Sequence, residues 1–149
     1  MVSETRQFCT FFLNDLFFGV EVLSVQEVIR FQEMTGVPLT NEVIRGLINL
    51  RGQIVTAIDM RRLLEMPDRS DEELPMNVVV QTDEGPVSLL VDEIGDVIEV
   101  SDEDFEEPPE TVTGTARELI RGVYKLDDRL LLVLDTSEVV EQVCGASKF

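Results

Sequence analysis

The 149-residue chain contains no histidine. That removes both the commonest general base near neutral pH and the commonest zinc ligand. Its two cysteines, Cys9 and Cys144, lie too far apart in sequence to make a metal motif. Cys9 falls inside an apolar run and is expected to pack there as a small hydrophobe, with a disulfide to Cys144 as the alternative. There is no phosphate-binding loop, no dinucleotide glycine pattern and no serine in a nucleophile elbow. No apolar run approaches the roughly 20 residues that span a bilayer. The N-terminus lacks a basic stretch followed by an apolar one, so no secretory signal is expected and a cytosolic location follows by default. Positive charge is also scarce. Net charge is −18, and Lys125 and Lys148 are the two lysines. This argues against nucleic acid and anionic membrane surfaces as partners, since both require cationic patches, and no direct membrane insertion is expected. An acidic, lysine-poor surface is also compatible with a salty habitat.

Acids are abundant enough that any one pair of them is a weak signal. Asp92 and Asp96 read as solvated or capping groups before they read as a catalytic pair. The Ser101-Asp102-Glu103-Asp104 run resembles a calcium loop only loosely, because Glu106-Glu107 falls where that loop needs glycine. No catalytic residue, metal ligand or cofactor site is therefore assigned. A binding module is favoured over an enzyme, the rival being a hydrolase built on acidic side chains.

What the chain does contain is a duplication. Ile44-Arg45-Gly46 opens a stretch ending at Ile58-Asp59, and Ile120-Arg121-Gly122 opens another ending at Leu134-Asp135. In the same alignment Leu50 matches Leu126, and Ile54-Val55 matches Leu130-Leu131. Upstream, at a slightly shorter offset, Val25–Ile29 echoes Ile94–Ile98 and Asn14-Asp15 echoes Asp83-Glu84. A period this long is a domain duplication, with a partner seam expected between the units. The halves 1–74 and 75–149 carry net charges of −5 and −13. Positive charge concentrates near Arg45, Arg51, Arg61 and Arg62.

Short apolar runs separated by turn residues predict a mainly β fold of small barrels with short helices. Hairpins are expected over Phe8–Val25, Ile48–Ile58, Asn77–Val91 and Val123–Leu134. Asn41 is expected to cap a short helix running through Ile44 and ended by Gly46. Further helices are expected over Met60–Glu65, Thr115–Leu119 and from a Thr136 or Ser137 cap to about Val143. Gly95 marks a bulge or bend. Leu130–Leu134 reads as buried on both faces. Pro67–Pro75 reads as a linker without core positions, and Glu99–Glu110, with seven acids, as a solvated loop.

The run Gly46-Leu47-Ile48-Asn49-Leu50-Arg51-Gly52-Gln53-Ile54-Val55, followed by Ile58-Asp59-Met60-Arg61, resembles the signature of the chemotaxis coupling protein family, CheW. Val25-Gln26-Glu27-Val28-Ile29-Arg30, Gly19–Val22 and Gly122–Asp135 resemble further segments of that family, and the likeness covers about residues 8 to 140. Thr56 and Asn41 stand where the family often has proline, which is expected to change local stiffness and leave the fold intact. The same fold serves as the regulatory domain of the kinase CheA and occurs fused to a receiver domain in CheV.

The resemblance implies two SH3-like five-stranded β-barrels related by a pseudo-twofold axis, divided near residues 74 and 75, with terminal segments able to cross between them. It implies a cytoplasmic, non-enzymatic adaptor in receptor arrays. Its partners would be the cytoplasmic hairpin tip of a chemoreceptor and the CheA regulatory domain. The alternative is a paralogue that binds one partner and sequesters or modulates the kinase. A receptor helix needs an apolar groove with polar rims. By resemblance, Val25, Glu27, Val28, Gly46 and Arg51 would form one wall of it and Val97 the other. Alternation along a strand places one of Val25 and Val28 inside. Arg51 can pair with a receptor carboxylate or with Glu27, or orient its turn through Asp59. Asn49, Leu126, Asp127 and Asp128 lie at the hairpin tips expected to meet kinase barrels. Charge inverts between those tips, Arg51 against Asp127, which would keep the two ends from accepting the same partner surface.

Overall fold

The computed structural model describes residues 4–36, 42–70, 73–83, 85–110 and 112–144. Its strands are β1 (Thr5–Leu13), β2 (Leu16–Glu21), β3 (Val25–Ile29), β4 (Ile44–Leu50), β5 (Gln53–Asp59), β6 (Met76–Thr82), β7 (Gly85–Val91), β8 (Glu93–Ser101), β9 (Phe105–Glu106), β10 (Ile120–Lys125) and β11 (Leu130–Leu134). Three helices, α1 (Met60–Leu63), α2 (Gly114–Leu119) and α3 (Thr136–Cys144), join them, with 3-10 turns at Val22–Ser24 and Asp102–Asp104.

The strands form two sheets, ordered β8-β1-β2-β11-β10-β9 and β3-β6-β7-β5-β4. The two offsets of the duplication carry β1, β2, β3, β4 and β5 onto β6, β7, β8, β10 and β11, and so carry one strand order onto the other. Register follows: β2 and β11 pair in parallel at Phe18↔Leu132, and their equivalents β7 and β5 pair in parallel at Val87↔Thr56. Each sheet closes. In the first barrel, β8 and β9 are one strand interrupted by a 3-10 turn, and Glu106 pairs with Val123. In the second, Thr35 bridges Leu47, the equivalent of Val123. The fold is thus a pair of SH3-like five-stranded barrels related by a pseudo-twofold axis. Each barrel takes strands from both halves of the sequence: the hairpin β1–β2 joins β8–β11, and the hairpin β6–β7 joins β3–β5, so the barrels do not divide near residues 74 and 75 as expected.

The core reflects this exchange. Its largest cluster joins Phe11, Leu13 and Phe18 of the first barrel to Val78, Val80 and Leu89 of the second, with Val139 and Val143 of α3 packed in. Two smaller clusters are confined to one barrel each, around Phe8, Tyr124 and Leu131 and around Ile48, Ala57 and Leu90. They differ because Phe8 in one barrel is Asn77 in the other, where its amide oxygen accepts from Ser88 at 2.7 Å. Leu131–Leu134 is buried, as a strand covered on both faces should be, but Leu130, expected to be buried with them, is exposed at the strand's start beside the tip. Gly95 sits at a bulge, where β1 skips register between Cys9 and Phe11. Thr10 Oγ1 donates to Asp96 O across it at 2.5 Å and fills the space a side chain at 95 would need.

Several expectations are corrected. Ile44 opens β4, so Gly46 is an interior strand residue at a register shift and not a helix stop. Asn41 lies outside the described residues. Gly46 is required because a Cβ there would stand 2.6 Å from Thr35 O, the carbonyl that closes the barrel. Gly46→Ala is accordingly expected to destabilise by about 1–3 kcal/mol, read as a lowered urea midpoint. An unchanged midpoint would show that the Thr35 bridge contributes nothing. Glu99–Ser101 continues β8, with Val100 buried, and Phe105–Glu106 is an edge strand, so 99–110 is not one solvated loop. The α3 amide of Glu138 is capped by Asp135 Oδ1 at 3.1 Å, in place of Thr136 or Ser137. The connection after Pro67 is not free of buried positions, since the Arg69 side chain is 5% exposed.

Candidate partner-binding site

The β4–β5 turn has two central residues, Arg51 and Gly52, at φ 52° and 86°. Two left-handed residues make the turn type that matches strand twist, which glycine adopts freely and arginine rarely. Asn49 Oδ1 holds it by accepting the Gly52 amide at 2.9 Å. The turn aims Arg51 at β3, and its Nη1 lies 2.6 Å from Glu27 Oε2. Arg51 remains 78% exposed while Glu27 is 17% exposed. Of the pairings open to Arg51 within the chain, Glu27 is the one formed. Asp59 is engaged elsewhere, by Arg45 at 3.2 Å and by the α1 amides of Arg61 and Arg62.

Along β3, Val25 packs against the shared core while Val28 is exposed. A register shift between Val25 and Glu27 sets that division. Val97, the duplicate of Val28, is exposed on β8 of the other barrel, opposite Cys9. Cys9 is free and half-buried, and its burial pushes the thiol pKa up. Glu27, Val28, Asn49 and Arg51 thus cluster on the second barrel, Gly46 lies within β4 beneath them, and Val97 belongs to the first.

At the first barrel's tip the Leu126 amide donates to Arg129 O at 2.9 Å and presents Asp127 and Asp128. Leu126 is partly buried against the Phe8–Tyr124 cluster. Asp128 pairs with Arg129 at 3.1 Å, which holds its carboxyl below the usual range. The Arg129 guanidinium sits over Phe17 and Phe12, 5.1 and 5.6 Å from the ring centroids. Beside it lies a groove of about 770 Å³ lined by Phe12, Leu16, Val112, Ala116 and Leu130. Several of its sequence equivalents in the other half are polar or glycine, Gln81 for Phe12, Gly85 for Leu16 and Gly36 for Val112, so the same apolar lining is not repeated at those positions. Asn49 belongs to one tip, and Leu126, Asp127 and Asp128 to the other.

The largest feature that sequence reasoning missed is ionic. Asp92, expected to be solvated or capping, is only 12% exposed. It receives Arg61 at 2.8 and 2.6 Å, Arg69 Nε at 3.1 Å and the Asn14 amide at 2.6 Å. Burial works to raise its pKa, but Arg61 and the Asn14 amide outweigh that and hold it below the ordinary value. Arg69 Nη1 also stands 3.7 Å from Asp59. The available signal was an aspartate closing each apolar run, Ala57-Ile58-Asp59 and Leu89-Leu90-Val91-Asp92.

Two barrels exchanging strands, with oppositely charged tips and an exposed arginine held by a glutamate at one of them, define a protein-interaction module. The CheW-like domain family matches residues 7–144, and the chain belongs to that family. It is 30% identical to the chemotaxis protein CheW of Bacillus subtilis (strain 168) over 146 residues, covering 98% of this chain and 94% of that protein. It is 29% identical to the chemotaxis protein CheW of Treponema pallidum (strain Nichols) over 137 residues, covering 89% and 81%. The crystal structure of the scaffolding protein TtCheW from Thermoanaerobacter tengcongensis superposes with a TM-score of 0.84 at 27% identity, covering 93% and 94%. Among the described residues no helix is long and apolar enough to cross a membrane.

Proposed function

We propose that this chain is a non-enzymatic chemotaxis adaptor that couples the cytoplasmic tip of a chemoreceptor hairpin to the regulatory domain of the histidine kinase CheA, acting in the cytoplasm at receptor arrays. The observation that carries the reading is the family match over nearly the whole chain, joined to the two-barrel architecture. The names of its relatives, chemotaxis and scaffolding proteins, support it.

The receptor wall is assigned to Val25, Glu27, Val28, Gly46 and Arg51, facing Val97. Within it Val28 and Val97 supply apolar area and Val25 supports β3 from below. Glu27 holds Arg51 in one pose while leaving most of its donors open, and an arginine so arranged suits a carboxylate on a helix rim. The kinase contacts are assigned to the tips, with Asn49 shaping one and Leu126, Asp127 and Asp128 forming the other. The sequence halves 1–74 and 75–149 remain the proposed evolutionary units, each barrel joining the first hairpin of one half to the third, fourth and fifth strands of the other.

The test is capture of the purified chain by two baits taken separately, a receptor cytoplasmic hairpin and a kinase regulatory domain. Binding to both is expected. Arg51→Glu, which sets two acids against each other beside β3, is expected to weaken the receptor arm at least tenfold, about 1.4 kcal/mol. Capture by the kinase domain alone would convert the reading to a single-partner modulator. Capture by neither would overturn it.

A further inference from the structure

The chain passes from one barrel to the other at two points, from β2 to β3 through Val22–Ser24 and from β7 to β8 through Asp92. The duplication makes these points equivalent, Asp92 answering to Leu23. They are built in opposite ways.

At the Asp92 crossing the amide donates to Phe12 O at 3.0 Å, and the carboxylate receives the amide of Asn14, both residues of the first barrel. The same carboxylate holds Arg61 of α1, which follows β5 of the second barrel. Arg69 lies across Asp92 and Asp59, 5% exposed, and Arg61 Nη1 also donates to Pro67 O at 3.0 Å. The crossing is therefore tied to the first barrel, the second barrel and the connection between the sequence halves. At the other crossing Leu23 is 97% exposed. Glu21 beside it pairs with Arg6 and Arg121, both of its own barrel. Gln26 beyond it bonds Gln81, again within one barrel. Among the described residues no side-chain hydrogen bond or ion pair spans the two barrels at Val22–Ser24.

We infer that the Asp92 crossing is a fixed pivot and the Val22–Ser24 crossing a free joint, with Asp92, Arg61 and Arg69 positioning one barrel against the other. A many-donor buried cluster has discrete geometry, whereas an exposed single turn can change its backbone angles with little loss. β3, which carries Glu27 and Val28, leaves directly from the free joint, so rotation about the pivot moves that strand relative to Val97. The consequence for partner binding rests on the adaptor reading. The pivot itself does not.

The test needs no partner, so its failure is separable from failure of the adaptor assignment. Nitroxide labels are placed at the two equivalent, exposed tip positions, Ile54→Cys and Leu130→Cys, in the full chain with Cys9→Ser and Cys144→Ser. The parent should give one narrow distance distribution. Arg69→Gln should broaden it roughly twofold, and Leu23→Ala should leave it unchanged. An unchanged width in a folded Arg69→Gln protein would overturn the inference. Should that variant not fold, Arg69→Lys keeps the charge but loses the donor fork, and the same criterion applies. Amide exchange on the unmodified chain gives an independent reading. Asn14 and Asp92 should exchange at least about a hundredfold more slowly than Leu23 and Ser24, and equal rates would also overturn it.

Discussion

Asp92→Asn is expected to remove about 3 kcal/mol of stability, near the lower end of what breaking a buried ion pair costs. The change is nearly isosteric, so cavity formation contributes little. The loss comes from Arg61 and Arg69, which keep their charges in a site 13% and 5% exposed but lose the shared carboxylate that compensates them. The amide nitrogen of asparagine adds a donor where three donors already converge. The measurement is the urea midpoint at about pH 7. A loss under about 0.5 kcal/mol would mean that solvent already screens this cluster as it does a surface pair.

The same carboxylate predicts acid sensitivity of definite sign. Burial favours its protonated form, but Arg61 and the Asn14 amide outweigh burial and depress the pKa in the folded chain. The unfolded chain therefore binds the proton more readily. The stabilisation is complete above the unfolded value near 3.8 and is lost as pH falls through the lower folded value. The gap between the parent and Asp92→Asn should thus be full at about pH 7 and shrink below about pH 4. A gap that widened on acidification would assign the depressed titration to another group.

The architecture was legible because duplication leaves the same apolar spacing twice. Aligning Val25–Ile29 with Ile94–Ile98, and Ile44–Asp59 with Ile120–Asp135, yields the strand equivalences before any coordinates, and Gly95 announces its bulge. Strand exchange was not legible, since the segments around Leu23 and Asp92 each read as a connection within one unit. Whether a strand turns back onto its own hairpin or crosses to the other is decided by tertiary packing, not by period-two alternation. Asp92 and Arg69 were hidden for a related reason. Their partners come from positions 14, 59 and 61, and only the fold brings those together. The Gly46 helix failed because a glycine after a short polar approach looks like a helix end, whereas here it makes room for the Thr35 carbonyl. Glu27 lies on β3 and Arg51 on the β4–β5 turn, and the left-handed turn that aims one at the other was only partly signalled by Gly52.

The second large effect concerns partner choice at the barrel tips. Exchanging the tip charges, Arg51→Asp with Asp127→Arg, is expected to reverse which tip accepts a given kinase barrel, by thirtyfold or more if about 2 kcal/mol rides on each contact charge. The two tips are equivalent by the duplication, so backbone shape alone separates them weakly. Chemistry separates them strongly. One carries an exposed arginine on a left-handed turn. The other carries Asp127 and Asp128 beside an apolar groove and a guanidinium stacked over two rings. Like charges brought together would reject the wrong partner even where the shapes fit. Binding is measured at each tip separately, with the opposite tip blocked by a bulky substitution. Unchanged preference in the double variant would sink the charge argument and leave the apolar groove beside Arg129 as the feature that tells the ends apart. Because the swap conserves net charge, a general electrostatic change cannot mimic the reversal.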